Sequence, residues 1–372
     1  MLPGPTNVPE RISHAMIRPM VNHRGETFSR VLKDVTMKSR SLFQTETDPV
    51  ILTASGTGGV EAAVWNIVRP GDRVVIPVNG EFGKRMAEAI ELAGGETIRI
   101  NSPMGTAPPV EDVEQTIRSA SGVKSVFVVH NETSGGTAVP YIERLARAAS
   151  DAGAYFVVDA VSSLGGYALP VDKWGIDVCI TGSQKCLAAP PGLSLLSVSR
   201  RAAEFIRKNP PRVRYFDLAR QMASLEHGET PFTPAVSLYY ALDEALDWLI
   251  EEGLENRVAR HAQHARTLYS VISALGLKGL AEDKVRSNTV IAVRYPAGID
   301  DKVFRKTLSE EHDVVVGAGM AETKGKVFRI GCMGDVGSSH VHRTASALAL
   351  TLQKMGHPVD LGRVSSALGP TS

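Results

Sequence analysis

The sequence Thr181-Gly182-Ser183-Gln184-Lys185 decides how this chain is interpreted. A short, mostly apolar run at 176–180 precedes it, and the length and β-branched residues of that run predict a buried strand. The residues after the lysine, 186–192, carry no charge and include two prolines and a glycine. Apolar surroundings disfavour an ammonium group, so Lys185 is a candidate neutral nucleophile of the kind that forms a Schiff base with a carbonyl. For an isolated lysine, a surface position on a loop is the simpler interpretation.

A second candidate strand ends in a carboxylate 26 residues before the lysine. Residues 154–158 are mostly apolar, and Asp159 follows them directly. Ligands of an open parallel sheet bind beyond the carboxyl ends of its strands, so we expect Asp159 and Lys185 at one crevice. Pyridoxal phosphate requires this pairing, because a carboxylate keeps its pyridine nitrogen protonated while a lysine carries its aldehyde.

Two stretches resemble the class V aminotransferases. The first is Val157-Val158-Asp159-Ala160-Val161-Ser162-Ser163-Leu164-Gly165-Gly166, and the second is Thr181-Gly182-Ser183-Gln184-Lys185-Cys186-Leu187-Ala188-Ala189-Pro190-Pro191-Gly192. Within that class they are most similar to the alanine–glyoxylate and serine–pyruvate group, including its broad-specificity archaeal members. The resemblance extends from Leu2-Pro3-Gly4-Pro5-Thr6 to Phe328-Arg329-Ile330-Gly331.

Strand and helix patterns alternate from residue 50 to residue 181, which predicts an α/β fold with a mainly parallel, doubly wound sheet. The resemblance implies fold type I of the pyridoxal phosphate enzymes, the aspartate aminotransferase-like fold. Beyond Gly253 the pattern changes to a long amphipathic helix at 258–275, strands at 289–293 and 327–330, and helices at 300–311 and 339–355. We therefore expect an N-terminal segment at 1–14, a large domain at 15–252 and a smaller α+β domain at 253–372.

A strand at 50–53, a Gly/Ser/Thr loop at 54–59 and a helix at 60–68 form a candidate phosphate cradle, because free N–H groups and the helix dipole attract an anion. The loop alone also fits a plain strand–helix turn. It is not a dinucleotide fingerprint, since Glu61 takes the place of the third glycine, and no Gly-Lys-Ser/Thr follows as in a P-loop. The resemblance assigns the cofactor phosphate to Ser55, Gly56 and Thr57.

Four further positions are assigned to the cofactor by the resemblance. Phe82, on a predicted loop after the strand 73–77, would stack on the pyridine ring, which is worth roughly 0.5–1.5 kcal/mol beyond burial. Thr133 would bind the phenolic oxygen, although Thr133 and Ser134 also suit the capping of a helix at 141–152. Val161 and Gln184 are the other two positions that the resemblance assigns to cofactor binding.

Arg329 is a single charge within an apolar strand, so it must be paired or serve a ligand. Its guanidinium matches a carboxylate in two parallel hydrogen bonds, and the resemblance makes that carboxylate the substrate's. A structural ion pair is the alternative. Residues 2–9 hold three prolines and Gly4, and in the resembled family this segment crosses near the substrate carboxylate. From sequence alone the segment could equally be a stiff tail.

The stretch Thr230-Pro231-Phe232-Thr233-Pro234 is stiffened by two prolines and precedes a predicted helix at 236–251. In the resembled family this stretch reaches the cofactor phosphate of the neighbouring subunit. We therefore expect a homodimer whose sites are shared, with Thr233 serving the partner.

Composition excludes several other classes of protein. The 372 residues carry a net charge of +1, which provides no basic field for nucleic acid or an anionic membrane. No apolar run reaches the length of a membrane span, and residues 1–5 show no secretory signal. The three cysteines, at 179, 186 and 332, are too few and too ill-spaced for a disulfide framework or a zinc site. We expect buried thiols in a cytoplasmic enzyme without a metal.

The function implied is transamination. An amino group would pass from a small amino acid, alanine or serine, to a 2-oxo acid such as glyoxylate or pyruvate, by way of the Schiff base at Lys185. The alternatives are class V transaminases for aminoethylphosphonate, phosphoserine or pyridoxamine, and a cysteine desulfurase-like lyase. Such lyases usually carry histidines where this chain has Gln184 and Phe82, although Cys332 leaves a persulfide role open. A non-catalytic binding module that has kept the fold is the remaining alternative.

Overall fold

A computed structural model describes residues 1–369, so residues 370–372 of the predicted small domain lie outside the described residues. The helices are α1 (Glu10–Ala15), α2 (Glu26–Phe43), α3 (Gly56–Ile67), α4 (Glu81–Leu92), α5 (Val110–Ser119), α6 (Ile142–Asp151), α7 (Val171–Trp174), α8 (Arg200–Lys208), α9 (Leu218–Glu226), α10 (Val236–Glu252), α11 (Leu254–Ala274), α12 (Asp301–His312), α13 (Ser338–Lys354) and α14 (Leu361–Leu368). The strands are β1 (Val50–Thr53), β2 (Arg73–Val78), β3 (Glu96–Asn101), β4 (Val123–Val129), β5 (Asn131–Glu132), β6 (Thr137–Ala138), β7 (Tyr155–Asp159), β8 (Val178–Gly182), β9 (Leu193–Val198), β10 (Lys278–Gly279), β11 (Val290–Arg294), β12 (Gly317–Ala318) and β13 (Val327–Gly331).

The larger sheet has the strand order β1-β9-β8-β7-β4-β2-β3. From β8 to β3 all neighbours are parallel, and β9 is antiparallel to both β8 and β1. Within this sheet β9 therefore runs alone against the others, which confirms the predicted α/β fold with a mainly parallel sheet. As a result, the carboxyl ends of β1, β4, β7 and β8 lie at one edge, where ligands of such sheets bind.

Helices cover both faces of this sheet, because successive residues of a strand point to opposite sides. On β4, Val128 belongs to the core formed with α2, α5, α6 and α10, whereas Phe127 belongs to the core formed with α3, α4, α8 and α9. The predicted doubly wound arrangement is thus confirmed.

Two local predictions are wrong, and one strand of the larger sheet is missed. Helix α3 begins at Gly56 rather than at residue 60, so its glycines form the first turn. Phe82 is the second residue of α4 and does not lie on a loop. Strand β3 was not predicted at all, because it is an edge strand whose residues are half-buried or exposed and which lacks an apolar run.

The smaller sheet has the order β10-β11-β13-β12 and is antiparallel throughout. Helices α11–α14 pack with it around a core of their own, and the predicted strands and helices of this region are confirmed to within a few residues. Arg329 lies at the middle of β13, opposite Ala292 and Gly317. Helix α10 ends at Glu252, and the division of domains near that residue stays a prediction.

Within residues 1–369, none of the helices combines the length and the apolar character that crossing a membrane requires. The same residues contain no group of three or more His, Cys, Asp or Glu side chains arranged to hold a metal ion. Cys179, Cys186 and Cys332 are all buried and unpaired, which confirms the expectation of buried thiols.

Candidate active site

A cavity of about 270 Å³ opens at the carboxyl edge of the larger sheet. Its walls come from the end of β7, the segments after β7 and β8, the β5–β6 hairpin, the first two turns of α3, and one side of α4 along its whole length. The predicted site residues that line it are Gly56, Thr57, Phe82, Thr133, Asp159, Val161 and Lys185. The fold therefore brings together most of a set that the sequence spreads over 130 positions.

Lys185 follows β8 on a tight turn, where its carbonyl accepts a hydrogen bond from Ala188 N at 2.9 Å. Its Nζ donates to the carbonyl of Pro3 at 2.7 Å. Gly4 packs directly on this amine, and a Cβ at Gly4 would collide with Nζ. Burial lowers the pKa of Lys185 to about 8, the positive charge of Arg329 adds to that, and Asp159 opposes it. The neutral amine is therefore accessible near physiological pH.

Arg257, which the sequence did not single out, binds the backbone directly after the lysine. This arginine is fully buried, and its Nε and Nη2 donate to the carbonyl of Cys186 at 3.3 and 2.8 Å. Its Nη1 donates to Glu252 at 2.8 Å. The start of α11 thus fixes the backbone beside the lysine, and a lone arginine on an amphipathic helix gives no sequence signal for such a contact.

Asp159 ends β7 and is 8% exposed. Its Oδ1 accepts a hydrogen bond from Val161 N at 2.9 Å, and no donor to its second oxygen lies within residues 1–369. Burial raises the pKa of Asp159 to about 6; the Val161 bond opposes the shift, and the neighbouring Glu132 carboxylate adds to it. This half-satisfied carboxylate lines the cavity, so it can accept a hydrogen bond from a cationic ligand group there.

The first turn of α3 forms a cradle at the cavity. Ser55 caps the helix, since its Oγ accepts from Gly58 N at 3.3 Å. The described part of the chain offers no hydrogen-bond partner to the N–H groups of Gly56 and Thr57. Gly56 packs on Val161, and a Cβ at Gly56 would lie 2.7 Å from a Val161 methyl. Two free N–H groups at a helix N-terminus are suited to a phosphate.

Phe82 and Thr133 form a further wall of the cavity. Phe82 is half-buried at the start of α4, and the Arg85 guanidinium lies 5.3 Å from its ring centroid. Thr133 Oγ1 donates to Ser162 Oγ at 2.8 Å. A hydroxyl has lone pairs to spare, so Thr133 Oγ1 can still accept from a ligand.

Arg329 lies beside this wall but does not line the cavity. Its Nη1 donates to the carbonyl of Thr133 at 3.1 Å, and its Nε donates to Ala318 at 2.8 Å. No carboxylate forms an ion pair with it within residues 1–369, so the alternative of a structural ion pair finds no partner there. Burial lowers the pKa of Arg329, and Glu132 opposes the shift. A half-buried guanidinium bonded only to carbonyls retains donors for a ligand.

Gln184 and Thr233 lie outside the cavity lining. The Gln184 amide oxygen is buried without a hydrogen-bond partner, and its backbone carbonyl accepts from Thr6 N at 3.1 Å. Thr233 is exposed, in a small depression that also involves Thr53 and Tyr215. Thr233 therefore does not share a cavity with the lysine.

Known proteins resemble this chain over nearly its whole length. Residues 9–334 match the family model described as aminotransferase class-V. An uncharacterized aminotransferase of Methanocaldococcus jannaschii is 42% identical over 361 residues, which cover 96% of this chain and 94% of the relative. A serine–glyoxylate aminotransferase of Methylorubrum extorquens is 35% identical over 90% of this chain and 86% of its own. The structure of ureidoglycine–glyoxylate aminotransferase from Bacillus subtilis superposes with a TM-score of 0.92 at 31% identity, covering 99% of this chain and 96% of that one.

Proposed function

The chain belongs to the class V aminotransferase family and is a transaminase, and from that premise we propose that it moves an amino group from serine or alanine to glyoxylate or pyruvate, with pyridoxal phosphate held at Lys185. One observation carries the proposal most directly. Lys185, with a lowered pKa, and Asp159, with an unpartnered carboxylate oxygen, line the same cavity.

The residues around the cavity fit this cofactor. Gly56 and Thr57 offer two N–H groups at a helix N-terminus to its phosphate. Asp159 offers a carboxylate oxygen to its pyridinium nitrogen. Phe82 offers a ring face, and Thr133 offers a hydroxyl to the phenolic oxygen. Pyridoxal phosphate, when bound, supplies an aldehyde that condenses with amines and a conjugated ring that takes up electrons from the α-carbon.

Lys185 serves twice in this account. As a neutral amine its Nζ would tether the cofactor, and when free the same atom would serve as a base of matched strength. Its pKa of about 8 lets Nζ take a proton from the α-carbon and return it to another atom near neutral pH. The Pro3 carbonyl holds Nζ, and the Arg257-bound Cys186 carbonyl holds the backbone that follows the lysine, which limits where Nζ can move.

Arg329 is proposed to bind the substrate carboxylate, with Gly4 leaving room for it. The arginine donates only to carbonyls, and Gly4 keeps the space beside Lys185 free of side chains. Because a fork of N–H donors holds a carboxylate in one orientation, Arg329 would set the direction of the α-carbon.

The proposed substrates are inferred from the names of related enzymes. The serine–glyoxylate and ureidoglycine–glyoxylate enzymes differ in the donor that their names give but share glyoxylate. We therefore propose glyoxylate as an acceptor, with pyruvate as the next candidate, and a small amino acid as the donor. Three unpaired, buried thiols agree with a reducing compartment, and we propose a cytoplasmic location.

We also propose a homodimer in which Thr233 binds the phosphate at the partner's site, because Thr233 is exposed and lies away from its own cavity. The test mixes two inactive variants. Lys185→Ala lacks the tether, and Thr233→Glu repels the phosphate by like charge. Co-refolding should restore activity, since one site of each mixed dimer then has both residues intact. Mixed dimers as inactive as their parents would show that the sites are not shared.

The desulfurase alternative is disfavoured by Cys332. This thiol is fully buried, does not line the cavity, and has its pKa raised to about 12 by burial. A persulfide carrier needs an accessible thiolate, which this position does not provide. The transaminases for pyridoxamine, phosphoserine and aminoethylphosphonate stay as alternatives with the same site.

A panel of donors and acceptors tests the proposal. Alanine, serine, aspartate, cysteine, phosphoserine and aminoethylphosphonate are each paired with glyoxylate, pyruvate and 2-oxoglutarate, and the new amino acid is measured. We expect serine or alanine with glyoxylate to give the highest kcat/KM. Preference for a phosphorylated donor, or sulfide release from cysteine without any 2-oxo acid, would overturn the proposed specificity.

A further inference from the structure

Helix α4 begins without a capping side chain of its own, because its N-cap residue is Gly80. The first N–H groups of a helix have no partner within the helix and need one from elsewhere. In this chain the β5–β6 hairpin, fifty residues later in the sequence, supplies the hydrogen-bond acceptors for these N–H groups. Ser134 Oγ accepts from Glu81 N at 3.0 Å, and Glu132 Oε2 accepts from both Phe82 N and Gly83 N at 3.0 Å.

Glu132 is fully buried, and both of its oxygens are engaged. Its Oε1 accepts from Ser134 N at 3.0 Å and from Ser134 Oγ at 2.5 Å. Each oxygen therefore faces at least one backbone N–H. A carboxylate accepts at both oxygens, whereas a glutamine in the same place presents its NH₂ group to one N–H in either orientation. The position therefore requires a carboxylate.

The side chain of Glu132 is tightly packed against the backbone around it. A Cβ on Gly80 would collide with Cγ and Cδ of Glu132, so the backbone before α4 lies directly on this side chain. Asn79 Nδ2 also donates to Thr137 Oγ1, on the second strand of the hairpin, at 3.2 Å. The start of α4 and the β5–β6 hairpin therefore form one unit.

This unit carries one wall of the cavity. Phe82, whose N–H Glu132 accepts, lines the cavity, and so does Thr133, the next residue along the hairpin. The Thr133 carbonyl in turn accepts from Arg329. Glu132 does not line the cavity, so it acts only through these neighbours.

We infer that Glu132 is a positioning residue, whose carboxylate caps α4 from outside and fixes Phe82 as the wall on which the cofactor ring packs. The cofactor's identity rests on the proposed function, but the capping does not. Glu132 touches no reacting atom in this account. Its role is to keep a ring-bearing helix turn in one place before the cofactor arrives.

The test compares Glu132→Gln with Asp177→Asn. Asp177 is an equally buried carboxylate that accepts from Phe156 N at 2.9 Å, but it lies at the far end of the sheet from the cavity. Both variants exchange an acceptor for an NH₂ group and should lower the thermal stability of the apoprotein. Only Glu132→Gln should raise the Kd for pyridoxal phosphate, by about three- to tenfold, the range that an aromatic stacking contact contributes. Equal Kd values for the two variants would overturn the inference.

A double-mutant cycle with Phe82→Ala shows whether Glu132 acts through the ring. If it does, Glu132→Gln should change the Kd far less when Phe82 is already alanine. Full additivity of the two effects would contradict the inference. The visible circular dichroism of the bound cofactor reports the ring environment, and it should change with Glu132→Gln but not with Asp177→Asn.

Amide hydrogen exchange tests the capping without any cofactor. In Glu132→Gln the N–H groups of Phe82 and Gly83 should exchange at least about tenfold faster than in the wild type, because each loses a buried acceptor. Unchanged protection there would overturn the inference. Should the wild type fail to bind pyridoxal phosphate, the proposed function fails while this measurement still decides the capping. If Glu132→Gln does not fold, Glu132→Asp, which keeps the charge but shortens the side chain, should speed exchange at Phe82 and Gly83, and unchanged exchange there would overturn the inference.

Discussion

Two sets of buried charges in this chain differ in how completely they are satisfied. Asp177, at the amino end of β8, accepts from Phe156 N at 2.9 Å, from Ser199 Oγ at 2.8 Å and from Arg201 Nε at 3.1 Å. Asp159, at the carboxyl end of neighbouring β7, accepts from Val161 N alone within residues 1–369. The two carboxylates are buried to nearly the same extent, so burial does not distinguish Asp159 from Asp177. They differ in how many of their hydrogen-bond acceptor sites are used.

The same contrast holds for the basic residues. Lys38 forms ion pairs with Asp243 and Asp247 at 2.6 and 2.7 Å, whereas Lys185 donates to one carbonyl. Arg257 is paired with Glu252, whereas Arg329 donates to carbonyls only. Each unsatisfied member lies at or beside the cavity. The fold thus keeps at one edge of the sheet the charges that a ligand can complete.

Replacing the two lysines should give the largest difference. Lys185→Ala removes the tether and the base together, so transamination should fall by about a thousandfold or more. Lys38→Ala should lower the thermal stability of the apoprotein and leave kcat/KM within about twofold of the wild type. Steady-state rates and melting curves of both variants check this. If Lys185→Ala retained activity, the difference in hydrogen-bond partners between Lys185 and Lys38 would not mark a functional lysine.

The two aspartates should separate activity from stability. Asp159→Asn should lower kcat by about a hundredfold or more, because the cofactor's ring nitrogen loses its charged partner. The folded-state pKa of Asp159 is raised to about 6, above its unfolded value, so ionised Asp159 destabilises the apoprotein fully above pH 6. At pH 8 the variant should therefore be more stable than the wild type, by up to about 3 kcal/mol.

Asp177→Asn supplies the contrast. It should be less stable than the wild type by about 1–3 kcal/mol, because Phe156 N and Arg201 lose a charged acceptor, while its kcat stays unchanged. Chemical denaturation at pH 5 and pH 8, together with activity measurements, distinguishes the two positions. A loss of apoprotein stability in Asp159→Asn would contradict the assignment of Asp159 as unsatisfied.

Arg329→Ala should raise KM for the amino acid far more than it changes cofactor retention. A charge-assisted pair lost in this way costs about 2–5 kcal/mol. The apoprotein should lose little stability, since Arg329 has no ion-pair partner to leave behind within the described residues. Arg257→Ala, in contrast, leaves the Cys186 carbonyl without its buried donor and Glu252 with Arg260 alone, and should lose about 1–3 kcal/mol. Kinetics on alanine and serine check the first expectation, and unchanged KM would make Arg329 structural.

The smallest effect concerns the pH at which Lys185 reacts. The rate at which the apoprotein captures pyridoxal phosphate should rise with pH, with a midpoint near 8, because burial and then Arg329 lower the pKa of Lys185. Arg329→Ala removes one of these causes and should move the midpoint upward by less than about one unit. A midpoint near that of a free lysine in the wild type would mean that Nζ is not desolvated.

The sequence predicted the site best where its signal is local. Lys185 and Asp159 each follow a buried strand, so the strand pattern alone placed them at one edge. The start of α4 was misplaced because Gly80 gives no capping signal, and the cap comes from Glu132 and Ser134. Ser134 does not cap the helix that follows it, since the N-cap of α6 is Tyr141; it caps α4 instead.

Two other residues were missed for a related reason. Glu132 lies three residues after the end of β4, directly behind His130 and Asn131, a position where a side chain that binds a ligand is also expected. Its hydrogen-bond partners lie about fifty residues earlier in the chain. Arg257 bonds to a carbonyl 71 residues away. Such contacts depend on how distant elements pack, and no spacing in the sequence encodes them.

The central claim is that this cavity carries out half of a transamination with each substrate in turn. The most direct test loads the protein with pyridoxal phosphate, removes the excess, and adds serine or alanine without any 2-oxo acid. We predict that one equivalent of 2-oxo acid forms per bound cofactor, that the cofactor is recovered in its aminated form, and that glyoxylate then restores the aldehyde form and yields glycine. Turnover that continues without an acceptor, or no 2-oxo acid at all with serine, alanine and the other donors of the panel, would contradict the account.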